Sequence, residues 1–191
     1  MEIETQLRRW MALAIFSLIA ISSTAVLANS QNDKRIIHAT WMDDPPVIDG
    51  DLSEGAWQKA KVATDFFRAT QPQGIPAKLH TEAMVLYSED TLYIGVYCEE
   101  PNISNLRQTA TRRDSSVWQD DAIEVLLDTY NDQRNSYVFV VNTLNTQMDG
   151  KISNESNFDR SWDAKWDAKV QKNGDHWTAE FAIPFRELRF G

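Results

Sequence analysis

The stretch that decides the fold is Thr81–Cys98, which has the sequence TEAMVLYSEDTLYIGVYC. Its second half, from Thr91 on, places apolar residues at every second position, and a period of two is typical of β-strands. The polar segment Ser88-Glu89-Asp90 separates two runs rich in apolar and aromatic residues, as a short hairpin connection does. The stretch therefore predicts two antiparallel strands, over Thr81–Tyr87 and Thr91–Cys98.

The same alternation recurs through the rest of the chain. Helical patterns are sparse, with one short helix predicted over Gly55–Val62 and a helical turn after Pro184. Asn173-Gly174 is a strong hairpin signal between two apolar runs. Several short strands joined by polar turns predict an all-β fold, an antiparallel β-sandwich or jelly roll. The further predicted strands are Ala122–Asp128, Ser136–Thr143, Gln147–Asn154, Trp166–Gln171 and His176–Ile183.

The amino terminus has the features of a secretory signal peptide. Arg8 and Arg9 precede an uncharged apolar run that ends in small residues at Ala28. At roughly 20 residues the run is also long enough for an uncleaved membrane anchor. We expect cleavage, export, and no transmembrane segment after cleavage. The expected divisions are a signal peptide (1–28), a lead-in segment (29–45) and one β-sandwich (46–191).

The carboxyl terminus and the composition narrow the class of protein further. The chain stops at Gly191 directly after the Pro184 turn, so we expect the sandwich to be truncated at its C-terminal edge. The formal net charge is -9, with 42% hydrophobic and 25% charged residues, which is a globular and acidic composition. Nucleic acid is excluded as a partner because phosphate binding requires a basic face. Cys98 is the single cysteine, so no internal disulfide can form.

The candidate site lies around the segment from Trp118 to Asp128. Strand alternation directs Ile123, Val125 and Leu127 to the core and Glu124 to the opposite face. Val138, Val140 and Asn142 of the predicted partner strand share that open face. An aromatic ring beside carboxylates and amides suits a sugar, whose apolar face packs on the ring while polar groups bind its hydroxyls. Trp118, Asp121, Glu124 and Asn142 are the candidates for this role.

The chain leaves alternatives for these residues. Trp118 could instead cover the edge of the sandwich, and Glu124 could pair with a lysine or arginine. Trp162, in a polar loop, is a second candidate for an exposed binding ring or for packing at an edge. Trp57 and Trp177 are predicted to be core residues. A glycosidase would need two carboxylates in one cleft, but Asp120 and Asp121 are adjacent and point to opposite faces.

Several stretches together resemble the family 9 carbohydrate-binding modules. Their order and spacing, over Ile48 to Phe190, carry the resemblance more than any one of them does. The resemblance implies a sandwich of two antiparallel sheets that binds the ends of sugar chains and carries structural calcium. The matching stretches are Val47-Ile48-Asp49-Gly50 with Trp57, Leu86-Tyr87 with Asp90-Thr91-Leu92-Tyr93-Ile94, Trp118 to Glu124, Phe139-Val140-Val141-Asn142, Trp177-Thr178-Ala179-Glu180, and Ala182-Ile183-Pro184.

The resemblance also assigns roles and reveals departures. Trp118 matches one of two tryptophans that clamp the sugar, and Glu124 matches a carboxylate that accepts from its hydroxyls. The sugar-contacting arginine of the family falls at Val140 here, and the second clamp tryptophan lies beyond Gly191. The leader, the module and the segment from Ile183 to the end also resemble the front of large bacterial envelope proteins, in which the module precedes a predicted outer-membrane barrel.

Calcium is the one cofactor that the sequence suggests. Asp128, Asn131 and Asp132 lie together at a hairpin end, and hard oxygen ligands at turns suit Ca²⁺. A solvated acidic turn is the alternative, since turns favour Asn and Asp in any case.

Three functions remain open at this stage. The first is non-catalytic carbohydrate binding in polysaccharide uptake or breakdown. The second is an interaction domain of an outer-membrane barrel protein with a degenerate sugar site, and the third is a module attached to an O-glycosyl hydrolase. All three imply a Gram-negative exported protein, in the periplasm, the outer membrane or the extracellular space, with a barrel or catalytic domain as a further partner.

Overall fold

The computed structural model describes residues 36–68 and 74–191. The predicted signal peptide (1–28) and the first part of the lead-in segment lie outside the described residues. No helix in the described part of the chain is long and apolar enough to cross a membrane. The strands are β1 (Thr40–Trp41), β2 (Val62–Ala63), β3 (Thr81–Tyr87), β4 (Thr91–Glu99), β5 (Ala122–Leu127), β6 (Ser136–Asn142), β7 (Gln147–Ser153), β8 (Asn157–Asp159), β9 (Asp167–Asn173) and β10 (His176–Pro184).

These strands form two sheets. The large sheet has the order β1-β3-β4-β10-β9, with β2 also paired to β3, and the small sheet has the order β5-β6-β7-β8. Every pairing is antiparallel except that of β1 with β3. The helical elements in the described residues are short 3₁₀ turns at Trp57–Lys59, Ile103–Asn105, Val117–Gln119 and Phe185–Glu187. The predicted all-β class, with two sheets, is confirmed.

The strand predictions agree with the structure to within a few residues, and the helix prediction over Gly55–Val62 is wrong. Only Trp57–Lys59 forms a 3₁₀ turn, and Val62 lies in a strand opposite Met84. Pairing with the edge of the large sheet overrides the weak local helix signal. The lead-in segment also contributes to the sandwich, because Thr40 pairs with Leu86.

The core lies between the sheets and is built largely from aromatic rings. Phe139 of the small sheet and Phe181 of the large sheet are both fully buried. Trp166 joins them, with its ring centroid 5.2 Å from that of Phe139 and 5.8 Å from that of Phe181. Trp177 and Trp57 are 5% and 1% exposed, so both are core residues as predicted.

A second apolar cluster covers the outer side of the large sheet, around Trp57. Gly95 permits this packing, because a Cβ there would lie 2.8 Å from a methyl of Leu52 and 3.0 Å from the Trp57 ring. Beneath the ring, the Glu180 carboxylate is completely buried and accepts from the Trp57 indole N–H at 2.6 Å. It also accepts from the backbone N–H groups of Asp49 at 2.9 Å and Gly50 at 2.6 Å. This Glu180 clamp, formed by Glu180, Trp57 and the backbone of Asp49 and Gly50, joins two of the stretches that carry the family resemblance.

Candidate functional site

The outer face of the small sheet, on the side away from the core, carries an aromatic shelf. Trp118 follows Val117 in a 3₁₀ turn and is 38% exposed. Its ring centroid lies 4.9 Å from that of Phe158, in an edge-to-face arrangement. Phe158 in turn rests on Gly150, where a Cβ would come within 2.4 Å of the ring. The shelf is therefore fixed by packing and presents one partly open indole ring.

An arginine stacks on this shelf. The guanidinium carbon of Arg160 lies 4.8 Å from the centroid of the Trp118 ring and 5.8 Å from that of Phe158. The turn around Arg160 is tied by Asp159, whose carboxylate accepts from the Ser161 N–H at 2.8 Å and from its hydroxyl at 2.6 Å. Within the described chain Arg160 forms no hydrogen bond or ion pair, so its N–H donors face solvent.

The middle of the outer face is closed, which corrects the expectation of an open surface there. Val138 and Val140 do point to the side that Glu124 shares, as strand alternation predicts, but they are 1% and 0% exposed. Val117 and Met148 bury them in a separate apolar cluster. The 3₁₀ turn that precedes β5 folds back over the sheet, and no local sequence signal announces that contact.

Asn142 is not available to a ligand, contrary to the prediction. Its side chain is fully buried, and its amide N–H groups donate to the Ala110 carbonyl and to Asp120, both at 2.8 Å. Its amide oxygen accepts from the backbone N–H groups of Leu144 at 3.0 Å and Thr146 at 2.8 Å. Asn142 therefore fastens the loop after β6 to the segment that precedes the Trp118 turn.

Asp120 and Asp121 anchor the same segment. Asp120 accepts from the N–H and hydroxyl of Thr109, at 2.9 and 2.7 Å, and from the N–H of Ala110 at 2.8 Å. Burial raises the pKa of Asp120, but the hydrogen bonds from Ala110, Thr109 and Asn142 outweigh burial and lower the pKa to about 2. Asp121 accepts from the Arg107 N–H at 2.6 Å, so this predicted ligand residue is also engaged within the protein.

Glu124 is a predicted site residue that remains open to solvent. It lies on β5, an edge strand of the small sheet, opposite Val140. Within the described residues it has no ion pair, so the alternative of a lysine or arginine partner is not met. Partial burial raises the pKa of its carboxyl group. Glu124 is thus a free acceptor at one border of the outer face.

A groove runs beside the shelf. It has a volume of about 350 Å³ and is formed by residues on both sides of Trp118. Its walls carry small polar side chains and one arginine, a lining that offers hydrogen bonds to hydroxyl groups. The lining residues are Thr109, Ala110, Thr111, Arg112, Ser115, Ser116 and Gln119.

Trp162 lies on the opposite side of the small sheet from the shelf. It is half-buried against the main core, with ring centroids 5.0 Å from Tyr137 and 5.8 Å from Phe139. The Lys151 ammonium nitrogen sits 4.8 Å from the Trp162 ring centroid. Trp162 therefore packs at the edge of the core and is not an exposed binding ring. It does not lie near Trp118.

The predicted calcium ligands lie in a turn whose carboxylates already have partners. Asp128 accepts from the backbone N–H groups of Asp132 at 3.2 Å and Gln133 at 2.7 Å. Asp132 accepts from its neighbours Arg134 and Asn135, and these hydrogen bonds lower its pKa. No cluster of three acidic, histidine or cysteine side chains fit for a metal occurs in the described part of the chain. The backbone N–H groups of the turn are therefore sufficient partners for these carboxylates. Calcium binding by Asp128, Asn131 and Asp132 stays a prediction.

Sequence reasoning missed Phe158 and Arg160. Phe158 lies in β8, which has three residues and shows no alternation long enough to detect, and Arg160 directly follows that strand. The available signal was Gly150 inside β7, because a lone glycine in a strand often marks the close approach of another group.

Comparison with known proteins agrees with this architecture. A curated relative, endo-1,4-beta-xylanase C of Paenibacillus barcinonensis, is 27% identical over 155 residues, which are 80% of this chain and 13% of the xylanase. A solved family 9 module of Caldicellulosiruptor kristjanssonii, in complex with cellotriose, superposes with a TM-score of 0.53 at 18% identity, covering 77% of this chain and 67% of that one. A putative carbohydrate-binding protein of Bacteroides uniformis gives 0.60 at 12% identity, covering 80% and 75%.

The two solved structures show a common fold, since their sequence identities are low. The family follows from the sequence itself, because residues 48–190 match the profile of the carbohydrate family 9 binding domain-like proteins. The matched region spans both sheets, the Glu180 clamp and the shelf at Trp118. This chain belongs to the carbohydrate family 9 binding domain-like family.

Proposed function

We propose that this domain binds carbohydrate without transforming it, and that the outer face of the small sheet is the binding surface. The observation that carries the proposal is the partly exposed Trp118 ring, fixed on Phe158 and flanked by a polar groove. The part of the indole ring that Arg160 leaves exposed offers an apolar surface to a pyranose. The groove, and Glu124 at the opposite border of the face, offer donors and acceptors to sugar hydroxyls.

The carboxylates of this region support binding rather than hydrolysis. A glycosidase needs two carboxyl groups that face one scissile bond, one of them protonated at neutral pH. Asp120 is occupied by four hydrogen bonds and has a pKa lowered to about 2, and Asp121 binds the Arg107 N–H. Of these three carboxylates, only Glu124 accepts no hydrogen bond from the described residues, and a single carboxylate does not make an acid and base pair.

The setting of the domain is part of the proposal. The predicted signal peptide supports export, and the 13% share of the xylanase covered by this chain supports a role as one module beside other domains. We propose that the module holds a larger envelope protein or a glycoside hydrolase on a polysaccharide. The match to a xylanase makes xylan the first polymer to test.

The test is isothermal titration of the mature domain with cello-, xylo- and malto-oligosaccharides, with Trp118→Ala as the paired variant. We expect saturable binding to one class, and a loss of about 10- to 100-fold in the variant, because stacking on one ring contributes about 1–3 kcal/mol. Trp41→Ala is the matched control, since Trp41 is 48% exposed at the edge of the other sheet. A flat titration with folded protein would contradict the proposal and favour an interaction domain with a degenerate sugar site.

A further inference from the structure

We propose that Arg160 gives the carbohydrate face a cationic end and that the site prefers glycans carrying a carboxylate, namely uronic acid residues. This inference rests on the proposed function and names the chemical class of its ligand. The face lacks an arginine at Val140, which is an apolar and fully buried residue. Arg160 brings a guanidinium to the same face from a different strand end, directly on the Trp118 ring.

The guanidinium is positioned well enough to act as a recognition group. Its carbon lies 4.8 Å from the Trp118 ring centroid, and the Asp159–Ser161 turn fixes the backbone on either side. Stacking on a ring restricts the long arginine side chain while leaving its N–H groups free to donate. Because no group of the described chain accepts from Arg160, a ligand can take its donors without breaking an internal bond.

The charges on this face are arranged at opposite borders. Glu124 lies on β5 and Arg160 directly follows β8, and these strands are the two edges of the four-stranded sheet. Three strand spacings separate them, about 14 Å, which exceeds the screening length of about 8 Å at physiological salt. A ligand carboxylate at Arg160 therefore experiences little repulsion from Glu124.

The neighbouring Asp159 does not neutralise Arg160. Its carboxylate oxygen accepts from the Ser161 N–H and hydroxyl, and no ion pair links it to Arg160 in the described residues. A guanidinium presents a planar fork of N–H groups that matches both oxygens of a carboxylate. Sugar hydroxyls can also accept from it, but a carboxylate gains the additional charge interaction. The geometry thus favours an acidic sugar at the Trp118 end of the face.

The experiment compares two ligands that differ in one group. Xylotetraose and the same tetramer bearing one uronic acid branch are titrated into the mature domain at about 20 and 200 mM salt. We expect the acidic ligand to bind about 5- to 10-fold more tightly at low salt, and the preference to shrink at high salt. Equal affinities, or a preference for the neutral ligand, would overturn the inference while leaving carbohydrate binding intact. If neither tetramer binds, the inference fails, and the titrations with cello- and malto-oligosaccharides decide whether carbohydrate binding fails with it.

Substitutions of Arg160 test whether this residue causes the preference for the acidic tetramer. Arg160→Gln is expected to bind both tetramers with similar affinity, and Arg160→Lys to retain part of the preference, since it keeps the charge but loses the planar fork. Arg134→Gln is the matched control, because Arg134 is an exposed arginine in the loop between β5 and β6, beside Glu155. A preference that survives in Arg160→Gln or disappears in Arg134→Gln would assign it to another group. Melting temperatures should not change in the Arg160 variants, because Arg160 is exposed.

Discussion

The Glu180 clamp and the outer face of the small sheet combine the same residue types with opposite consequences. In the clamp, Trp57 and Glu180 are at most 1% exposed and bind each other at 2.6 Å. On the outer face, Trp118 is 38% exposed and Glu124 has no ion pair within the described residues. Both pairs of a tryptophan and a glutamate lie in stretches that carry the family resemblance. The comparison shows that burial and internal partners, rather than residue type, separate the residues that stabilise this fold from those open to a ligand.

The largest expected effect is at the clamp. Glu180→Ala leaves two buried N–H donors and one part-buried N–H donor without an acceptor, each buried one costing about 1–3 kcal/mol, so we expect a loss of about 3–5 kcal/mol in the free energy of unfolding. Urea denaturation measures it directly. Glu124→Ala, the matched change on the outer face, should alter stability by less than about 0.5 kcal/mol. If the two variants were equally stable, burial would not be the property that distinguishes the regions.

The next largest effect distinguishes Trp162 from Trp118, both of which the sequence suggested as sugar-binding rings. Trp162→Ala removes a half-buried ring from Tyr137 and Phe139, so we expect a loss of about 2–3 kcal/mol in stability, somewhat below the value for a fully buried ring. Sugar affinity should not change, because Trp162 lies on the core side of the sheet. Trp118→Ala should lower sugar affinity and cost less stability than Trp162→Ala, because the Trp118 ring is more exposed. If Trp162→Ala lost sugar affinity without losing stability, the binding surface would lie at Trp162 and not on the outer face of the small sheet.

The sandwich could be predicted from the sequence because its strands carry strong local signals. Strand β3 has the same limits in the structure as in the prediction, and β4 differs by one residue at its end. Alternation of apolar residues and the polar hairpin at Ser88 fix these elements without knowledge of the remainder of the chain. The helix predicted over Gly55–Val62 failed because pairing of Val62 with the sheet edge is a long-range effect.

The site could be predicted only in part, for a related reason. Strand alternation placed Glu124 and Asn142 on the same side of the sheet, which is correct. It could not show that the segment at Ala110 lies against Asn142 on that side, because this contact joins residues far apart in the sequence. Arg160 escaped notice for the same reason. Its partner Trp118 is 42 positions away, so only the folded structure brings the two together.

A smaller, pH-dependent effect on the free energy of unfolding is expected at Asp120. This residue is less buried than the Glu180 clamp and less exposed than Glu124. The pKa of Asp120 is about 2 in the folded protein, below its ordinary value of 3.8, so the native carboxyl holds fewer protons than the unfolded one between these values. The stability it contributes is therefore present above about pH 4 and is lost as the pH falls towards 2. Asp120→Asn should cost about 1–2 kcal/mol at pH 7.

The check is a series of urea titrations between pH 3 and 7 on both proteins. We expect the cost of Asp120→Asn to diminish towards the acidic end, since the carboxyl of the unfolded wild-type protein becomes protonated there while the folded one is still ionised. Asp44→Asn, at an exposed carboxylate, is the control and should follow the wild type. If the loss of stability in Asp120→Asn did not change with pH, the negative charge of Asp120 would not be what binds Thr109 and Ala110.

The smallest effect concerns the turn at Asp128, which resembles the clamp in having its carboxylates bound to backbone N–H groups, but is exposed. Each oxygen keeps a second lone pair, so weak calcium binding at about millimolar affinity is expected. At a calcium concentration equal to the dissociation constant the stabilisation is about 0.4 kcal/mol, which raises the melting temperature by roughly 1 °C. Melting in calcium and in chelator measures it, with Asp128→Asn as control. A rise of more than about 5 °C would show that the turn is a calcium site built into the fold, and that exposure does not limit what this turn can bind.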